Sequence, residues 1–207
     1  AIKPDDPEKA FIQIVEAMGV NTQAQKIKPE GPVGIKPRSI IEQTALEECS
    51  KFSPEVSLET VKSIFLEVDR LSSIHIANFV KILPGVYDLV ENLFAQKIKL
   101  AIATTDLSSR AKLAMQTIRM DSFFSVIAGG DNVAKTKPSP EVVFNILGAL
   151  SVKPDKALLI GDSIVDLETA ANAGIRFVGV KTGLHEPVFL EKTTYLINQL
   201  NEIKVNR

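Results

Sequence analysis

Two aspartates four residues apart, Asp162 and Asp166, stand directly after a short apolar run, Ala157-Leu158-Leu159-Ile160-Gly161. The run reads as a buried parallel strand, apolar on both faces. Gly161 lets the backbone turn sharply at its carboxyl end, so Asp162 lies at the lip of a sheet, where open α/β folds bind ligands. Asp166 falls in the first turn of the helix that follows, and both carboxylates can face one spot. Two acidic oxygen ligands suit a hard divalent cation, Mg2+ above all. The same residues also describe an ordinary capped strand–helix junction, because Asp favours N-cap positions and acids favour a first helical turn. The pair alone does not separate these readings.

Further polar groups fall at the ends of other predicted strands. Thr104, followed by Thr105 and Asp106, ends an apolar run over residues 97–104. Lys137 follows a second strand, 123–128, in the setting Lys137-Pro138-Ser139-Pro140. Taken singly, Thr104 can be a strand-terminal residue capping the next helix, and Lys137 a solvated surface lysine. Taken in order on consecutive strand ends, they bring a hydroxyl, an ammonium and two carboxylates to one edge of a sheet. A phosphate wants a hydroxyl donor, backbone N–H groups at a helix start, and a cation. The carboxylates would hold Mg2+, which bridges phosphate oxygens. Of the parts of a phosphoryl-transfer site, only a nucleophile is missing.

The elements that must position these groups alternate. Strands over 97–104, 123–128, 157–160 and 177–180 are separated by helices over 108–118 and 140–150 and one running through Ala173. That order predicts a doubly wound parallel sheet with right-handed crossovers. A short helix near 187–192 and an edge strand at Tyr195-Leu196-Ile197 follow. The first 80 residues read as helix and loop, without a strand. Asp6-Pro7 opens a helix that Gly19 stops. After a loop over 21–37, a helix over 38–52 places Ile40, Ile41, Ala45 and Cys49 on one side. Ser57 caps a third helix with the apolar stripe Val61, Ile64, Phe65, Val68 and Leu71. The expected organisation is a helical domain over 1–80 and an α/β core over 81–207.

Composition excludes several classes. A net charge of −1 leaves no global basic field for nucleic acid or an anionic membrane. No apolar run approaches the ~20 residues needed to span a bilayer. The lone Cys49 excludes an intramolecular disulfide and most cysteine-built metal sites, and fits a cytoplasmic setting. On an apolar helix face it reads as buried and inert. His75 and His185 read as structural or solvent-facing. Lys26, Lys28, Lys36 and Arg38 read as a solvated loop; the alternative is a substrate-binding edge, with Arg38 the best single candidate.

Residues 84–183 resemble the haloacid dehalogenase superfamily, specifically its phosphoglycolate-phosphatase-like phosphatases. Ile102-Ala103-Thr104 matches motif two, and Lys137-Pro138-Ser139-Pro140 matches motif three. Gly161-Asp162 with Asp166 matches motif four, Gly-Asp-x-x-x-Asp, and Ala170 to Gly174 matches the helix end that follows it. Pro84-Gly85-Val86 resembles the entry to the family core, and the first 80 residues resemble a C1-type helical cap. The resemblance implies a Mg2+-dependent phosphomonoester hydrolase with an aspartyl-phosphate intermediate, acting on a small phosphorylated metabolite. Thr104, Lys137 and Asp162 would be catalytic; Thr104, Thr105 and Lys137 would hold phosphate; Asp162 and Asp166 would hold the metal.

Motif one, an apolar strand followed by Asp-x-Asp-Gly-Thr, is absent, and Asp5-Asp6 has neither its strand nor its spacing. In the family its first Asp is the nucleophile and its strand lies between those ending at Thr104 and Asp162. The expectation is therefore a missing segment of about one strand and turn before Ala1, and near inactivity of the 207 residues. The rival readings are a non-catalytic relative that keeps a phosphate or metal pocket for binding or regulation, and, within the family, a dehalogenase or a phosphotransferase/mutase.

Overall fold

The computed structural model describes residues 6–24, 26–28, 31–33, 36–183 and 195–204. The chain divides into two compact units, Ala1–Ile74 and His75–Arg207. No helix among the described residues is long and apolar enough to cross a membrane.

In the first unit α1 spans Pro7–Ala17. The Asp6 carboxylate accepts from the Lys9 amide at 3.0 Å, and Pro7 sits where its missing N–H costs nothing. Gly19, at φ 100°, ends the segment against Gly31: a Cβ on Gly19 would lie 2.5 Å from the Gly31 Cα. An antiparallel hairpin, β1 (Val20–Asn21) and β2 (Lys26–Ile27), stands in the stretch expected to lack strands. Two residues per strand are too short to show a period-two pattern.

Helix α2 (Arg38–Ser50) packs against α1 and against α3 (Leu58–Ile74). The Ser57 hydroxyl caps α3 by accepting from the Thr60 amide at 3.1 Å. The α3 stripe differs from expectation. Val61 and Asp69 are buried and Phe65 is half-buried, while Ile64, Val68 and Leu71 are exposed. The reason is the facing surface of α2, which presents Arg38 and a buried Glu42. A charged cluster closes this seam, so the inward residues follow the 61, 65, 69 spacing. Cys49 is half-buried; burial, with the Glu48 carboxylate adding to it, pushes its thiol up and disfavours the reactive thiolate.

The second unit opens with α4 (Ile76–Phe79) and α5 (Val86–Ala95), the latter entered through Gly85 at φ 73°. His75, at the start of α4, is exposed and makes no side-chain cap bond. The alternation then follows in full: β3 (Leu100–Ala103), α6 (Ser108–Thr117), β4 (Phe124–Ala128), α7 (Glu141–Leu150), β5 (Leu158–Gly161), α8 (Ile164–Ala173), β6 (Arg176–Val180) and β7 (Leu196–Ile197). All pairs here are parallel: β3 with β4, and β5-β6-β7 in that order. Among the described residues these form two sheets, with no ladder between β3 and β5.

One hydrophobic core serves both sheets. Val142, Val143, Ile146 and Leu147 of α7 pack with Ala128 and Ala173, against Ala101 and Ala103 of β3 and Leu159 of β5. The β5 run is therefore not buried on both faces as its composition suggested. Leu159 points into this core, but Leu158 and Ile160 are 48% and 36% exposed. Strand β5 has one described neighbour, β6, and its core contacts lie on the Leu159 face. The predicted helix near 187–192, and His185, lie outside the described residues.

Candidate active site

Strand β3 delivers Thr104 to the carboxyl edge. The last rung of its ladder is the Thr104 amide donating to the Ala128 carbonyl at 2.9 Å. Beyond it the chain curls into a loop that opens α6. The Thr104 hydroxyl accepts from the Asp106 amide at 3.1 Å. The Asp106 carboxylate accepts from the Leu107 amide at 2.7 Å and from Arg110 Nε at 3.1 Å. The Ser108 amide and hydroxyl donate to Asp131, at 2.7 and 2.8 Å. Among the described residues nothing accepts from the Thr105 amide or hydroxyl, so these are the loop's uncommitted donors.

Lys137 reaches the same edge from the loop after β4. That loop is shaped by side chains: Glu141 accepts from the Ala134 and Lys135 amides at 2.8 and 3.0 Å, and Asn172 donates to the Pro138 carbonyl at 2.9 Å. The Lys137–Pro138 peptide is cis. The lysine is 9% exposed. Its Nζ donates to Asp166 Oδ1 at 2.6 Å and to the Ala103 carbonyl at 3.2 Å. An ammonium carries three N–H groups; two are thus accounted for. Because Ala103 precedes Thr104, the positive charge stands at the end of β3 itself.

Asp166 ties this lysine to the β5–α8 junction. Its Oδ2 accepts from the Ser163 hydroxyl and amide at 2.6 and 3.2 Å, while the Ser163 hydroxyl accepts from the Asp166 amide at 3.2 Å. This is a reciprocal capping box, so the junction reading of Asp166 holds alongside the ion pair. The Ser-x-x-Asp spacing is the sequence signal for Ser163. Two glycines make room for the carboxylates. A Cβ on Gly161 would lie 2.4 Å from the Asp166 Cβ, and one on Gly183 would lie 2.0 Å from Asp162 Oδ2.

The donor set fits magnesium only in part. Asp162 is a hard oxygen donor at the sheet lip, but both Asp166 oxygens are engaged by Lys137 and Ser163. Among the described residues no three His, Cys, Asp or Glu side chains are grouped to hold an ion. Mg2+ takes six oxygen ligands, several of them water. The described residues therefore do not make a magnesium site by themselves.

The basic cluster of the first unit is dispersed. Lys26 and Lys36 are exposed, and Lys28 pairs with Glu16 at 3.6 Å. Arg38, the substrate candidate, is committed inside its unit. Its Nε donates to Glu42 at 3.1 Å, its terminal nitrogen donates to the Asp69 carboxylate and to the Phe65 carbonyl at 3.3 Å, and the guanidinium lies 4.5 Å from the Phe65 ring centre. This geometry supports a structural role over a substrate contact. Sequence reasoning passed over Glu42 and Asp69, whose partner is up to 31 residues away, and Asp131, 23 residues from Ser108.

Comparisons with known proteins speak to the family and the fold. The family profile described as haloacid dehalogenase-like hydrolase matches residues 7–180. Pyrophosphatase PpaX of Bacillus mycoides (strain KBAB4) is 31% identical over 120 residues, covering 57% of this chain and 56% of that protein. The chain thus spans about half the length of the curated relatives it matches. A crystal structure assigned as a haloacid dehalogenase-like hydrolase from Bacteroides fragilis superposes with TM-score 0.70 at 25% identity, covering 94% of this chain and 89% of that one. One from Haemophilus somnus, assigned by prediction as a phosphoglycolate phosphatase, gives TM-score 0.72 at 22% identity over 82% and 76% of the two chains, and so speaks to the fold. With the motif-bearing strand ends in place and the profile spanning most of its length, the chain belongs to the haloacid dehalogenase-like hydrolases.

Proposed function

We propose that this chain is the phosphate-recognising part of a phosphomonoester hydrolase acting on a small phosphorylated metabolite in the cytoplasm. The carrying observation is Lys137, buried at the end of β3 with Nζ bonded to Asp166 and the Ala103 carbonyl. A charge held there is oriented without being saturated, and its third N–H is available to a ligand oxygen. The Thr105 amide and hydroxyl supply neutral donors on the adjoining loop, and the Thr104 hydroxyl stands at its root. Together they hold a phosphate and draw charge from its oxygens.

In this reading the nucleophile is a carboxylate that the 207 residues do not supply, since no Asp-x-Asp-Gly-Thr occurs in them. The chain as it stands binds phosphate but hardly turns an ester over. Loss of a nucleophile costs up to about 10⁶ in turnover in a concerted site. Magnesium dependence is part of the same proposal, with Asp162 as the ligand and Asp166 positioning Lys137. When bound, the ion neutralises phosphate oxygens.

The test is a titration with inorganic phosphate, followed through the Thr105 and Ser108 amide resonances, beside an assay of phosphate release from small phosphomonoesters. Binding without release supports the reading. Release at ordinary enzyme rates overturns the assignment of the nucleophile; absence of binding overturns the site. The same lack of an Asp pair favours a second reading, a binding or regulatory relative. That protein would bind phosphate esters and still release none when a strand bearing Asp-x-Asp-Gly-Thr is joined ahead of the chain.

A further inference from the structure

Two loops leave the carboxyl ends of the neighbouring strands β3 and β4, and they are joined to one another beyond the last rung of the ladder. The Gly130 amide donates to the Asp106 carbonyl at 2.9 Å. The approach is close enough to exclude side chains. A Cβ on Gly129 would lie 2.3 Å from the Ser108 nitrogen and 2.5 Å from the Asp106 oxygen, and one on Gly130 would lie 2.7 Å from the Thr105 oxygen. The turn is held from its own side by Asn132, whose side chain accepts from the Gly129 amide at 2.9 Å.

Helix α6 has no cap of its own, because its N-cap residue is Leu107 and makes no side-chain bond. The cap arrives from the β4 turn. One Asp131 oxygen takes the Ser108 amide and the other takes the Ser108 hydroxyl. Burial pushes the Asp131 carboxyl up, but the bonds from the Ser108 amide and hydroxyl, with one from its own amide, outweigh it and hold the group below the usual carboxylate range. A carboxylate near an anion site opposes the anion by charge, so charge is not the reason to place one here. Its geometric effect is different. With the Ser108 amide taken by Asp131, that of Leu107 by Asp106 and that of Asp106 by Thr104, the Thr105 amide is the one left without an acceptor among the described residues.

We propose that Asp131 is a positioning residue of the phosphate site, clamping the 104–108 loop from the β4 turn so that the Thr105 amide is presented beside Lys137. The inference rests on the phosphate reading above and goes beyond it, since Asp131 itself touches no ligand.

Two substitutions separate geometry from charge. Asp131→Asn can keep the clamp, its carbonyl accepting from the Ser108 amide and its amide donating to the Ser108 hydroxyl, while removing the negative charge. Asp131→Ala removes both. In a titration of the intact chain with inorganic phosphate, Asp131→Ala is expected to weaken binding about five- to tenfold, the scale of a lost helix cap. Asp131→Asn is expected to bind as tightly as the native chain or more tightly. Backbone 15N relaxation supplies a readout free of ligand: the Thr105, Asp106 and Leu107 amides gain ps–ns motion in the Ala variant and not in the Asn variant.

Equal or tighter binding by the Ala variant, with loop amides as ordered as in the native chain, overturns the positioning role while leaving the phosphate site standing. Parallel weakening in both variants overturns it too, by showing that the charge matters and not the clamp. Native chain that binds no phosphate at Thr105 and Lys137 overturns the site, and the inference with it. Should Asp131→Ala not fold, Ser108→Ala removes the hydroxyl half of the clamp and leaves the charge at residue 131 in place. Weaker phosphate binding with a more mobile Thr105 amide then supports the positioning role, and native affinity with native loop order overturns it.

Discussion

Two cations, the half-buried Arg38 in the helical unit and the buried Lys137 in the α/β unit, show how a fold separates a structural charge from one that can act. Both stand among carboxylates and both bond to a backbone carbonyl. Arg38 faces two carboxylates, Glu42 and Asp69, the Phe65 carbonyl and the Phe65 ring. Three of its five N–H groups are committed, and the cluster is net negative, so a further anion is repelled. Lys137 has one carboxylate, Asp166, and one carbonyl. That pair is neutral, one N–H is left over, and the adjoining Thr105 amide is uncommitted. Local net charge marks the difference: a cation outnumbered by carboxylates closes a seam, and one in a neutral pair with an N–H left over can take a ligand.

The contrast between the two cations breaks most forcefully at Asp166. Asp166→Ala leaves the Lys137 charge buried and unpaired, and is expected to cost about 3–5 kcal/mol of stability. Denaturant unfolding followed by circular dichroism measures it; a cost below ~1 kcal/mol would mean that Lys137 relaxes into water as freely as a surface lysine. Next comes Lys137→Met. Removing a charge-assisted contact should weaken inorganic phosphate binding about 10- to 100-fold. Unchanged affinity by calorimetry would move the anion site elsewhere.

Arg38→Met sharpens the contrast from the other side. It is expected to destabilise the helical unit by about 1–3 kcal/mol, discounted because the arginine is one-third exposed. Phosphate affinity should be unaltered. A parallel loss of affinity would give Arg38 the ligand role that its two carboxylate partners argue against. Ser163→Ala should cost about 1 kcal/mol, the value of an N-cap, and loosen Asp166 without unpairing it from Lys137.

The smallest effect is a titration. The Asp131 carboxyl is depressed in the fold, because the Ser108 bonds outweigh the raising effect of burial. The stabilisation from its clamp is therefore complete above the ordinary aspartate value, about 3.9, and is lost as pH falls through the lower folded value. The Ser108 amide resonance should shift with a midpoint below that of an unperturbed aspartate. A midpoint at or above it would show that the two hydrogen bonds do not hold in solution.

Much of the site is legible in the residues. Alternation alone puts Thr104 and Asp162 at strand ends, with Lys137 in the loop after the next strand and Asp166 in the following helix's first turn, because an apolar run of four or five residues ending at a polar group carries its own boundary. The capping signal at Ser57 is local and correct. The α3 stripe misleads, since composition on one helix cannot show that its neighbour presents Arg38 and Glu42. The exposed side of β5 misleads for the same reason: Leu158 and Leu159 are chemically identical, and only the core packed from α7 and α8 decides which is inside.

What the chain determined unaided were its periodic elements, their order, and the residue types delivered to the carboxyl edge, all consequences of short-range backbone preference and side-chain period. What only the tertiary structure decided was partnership: Lys137 with Asp166 across 29 residues, Asp131 with Ser108 across 23, and Arg38 with Asp69 across 31. A hydrogen bond depends on direction and on about 3 Å of distance, and neither is encoded in spacing along a chain until the helices and strands between have packed.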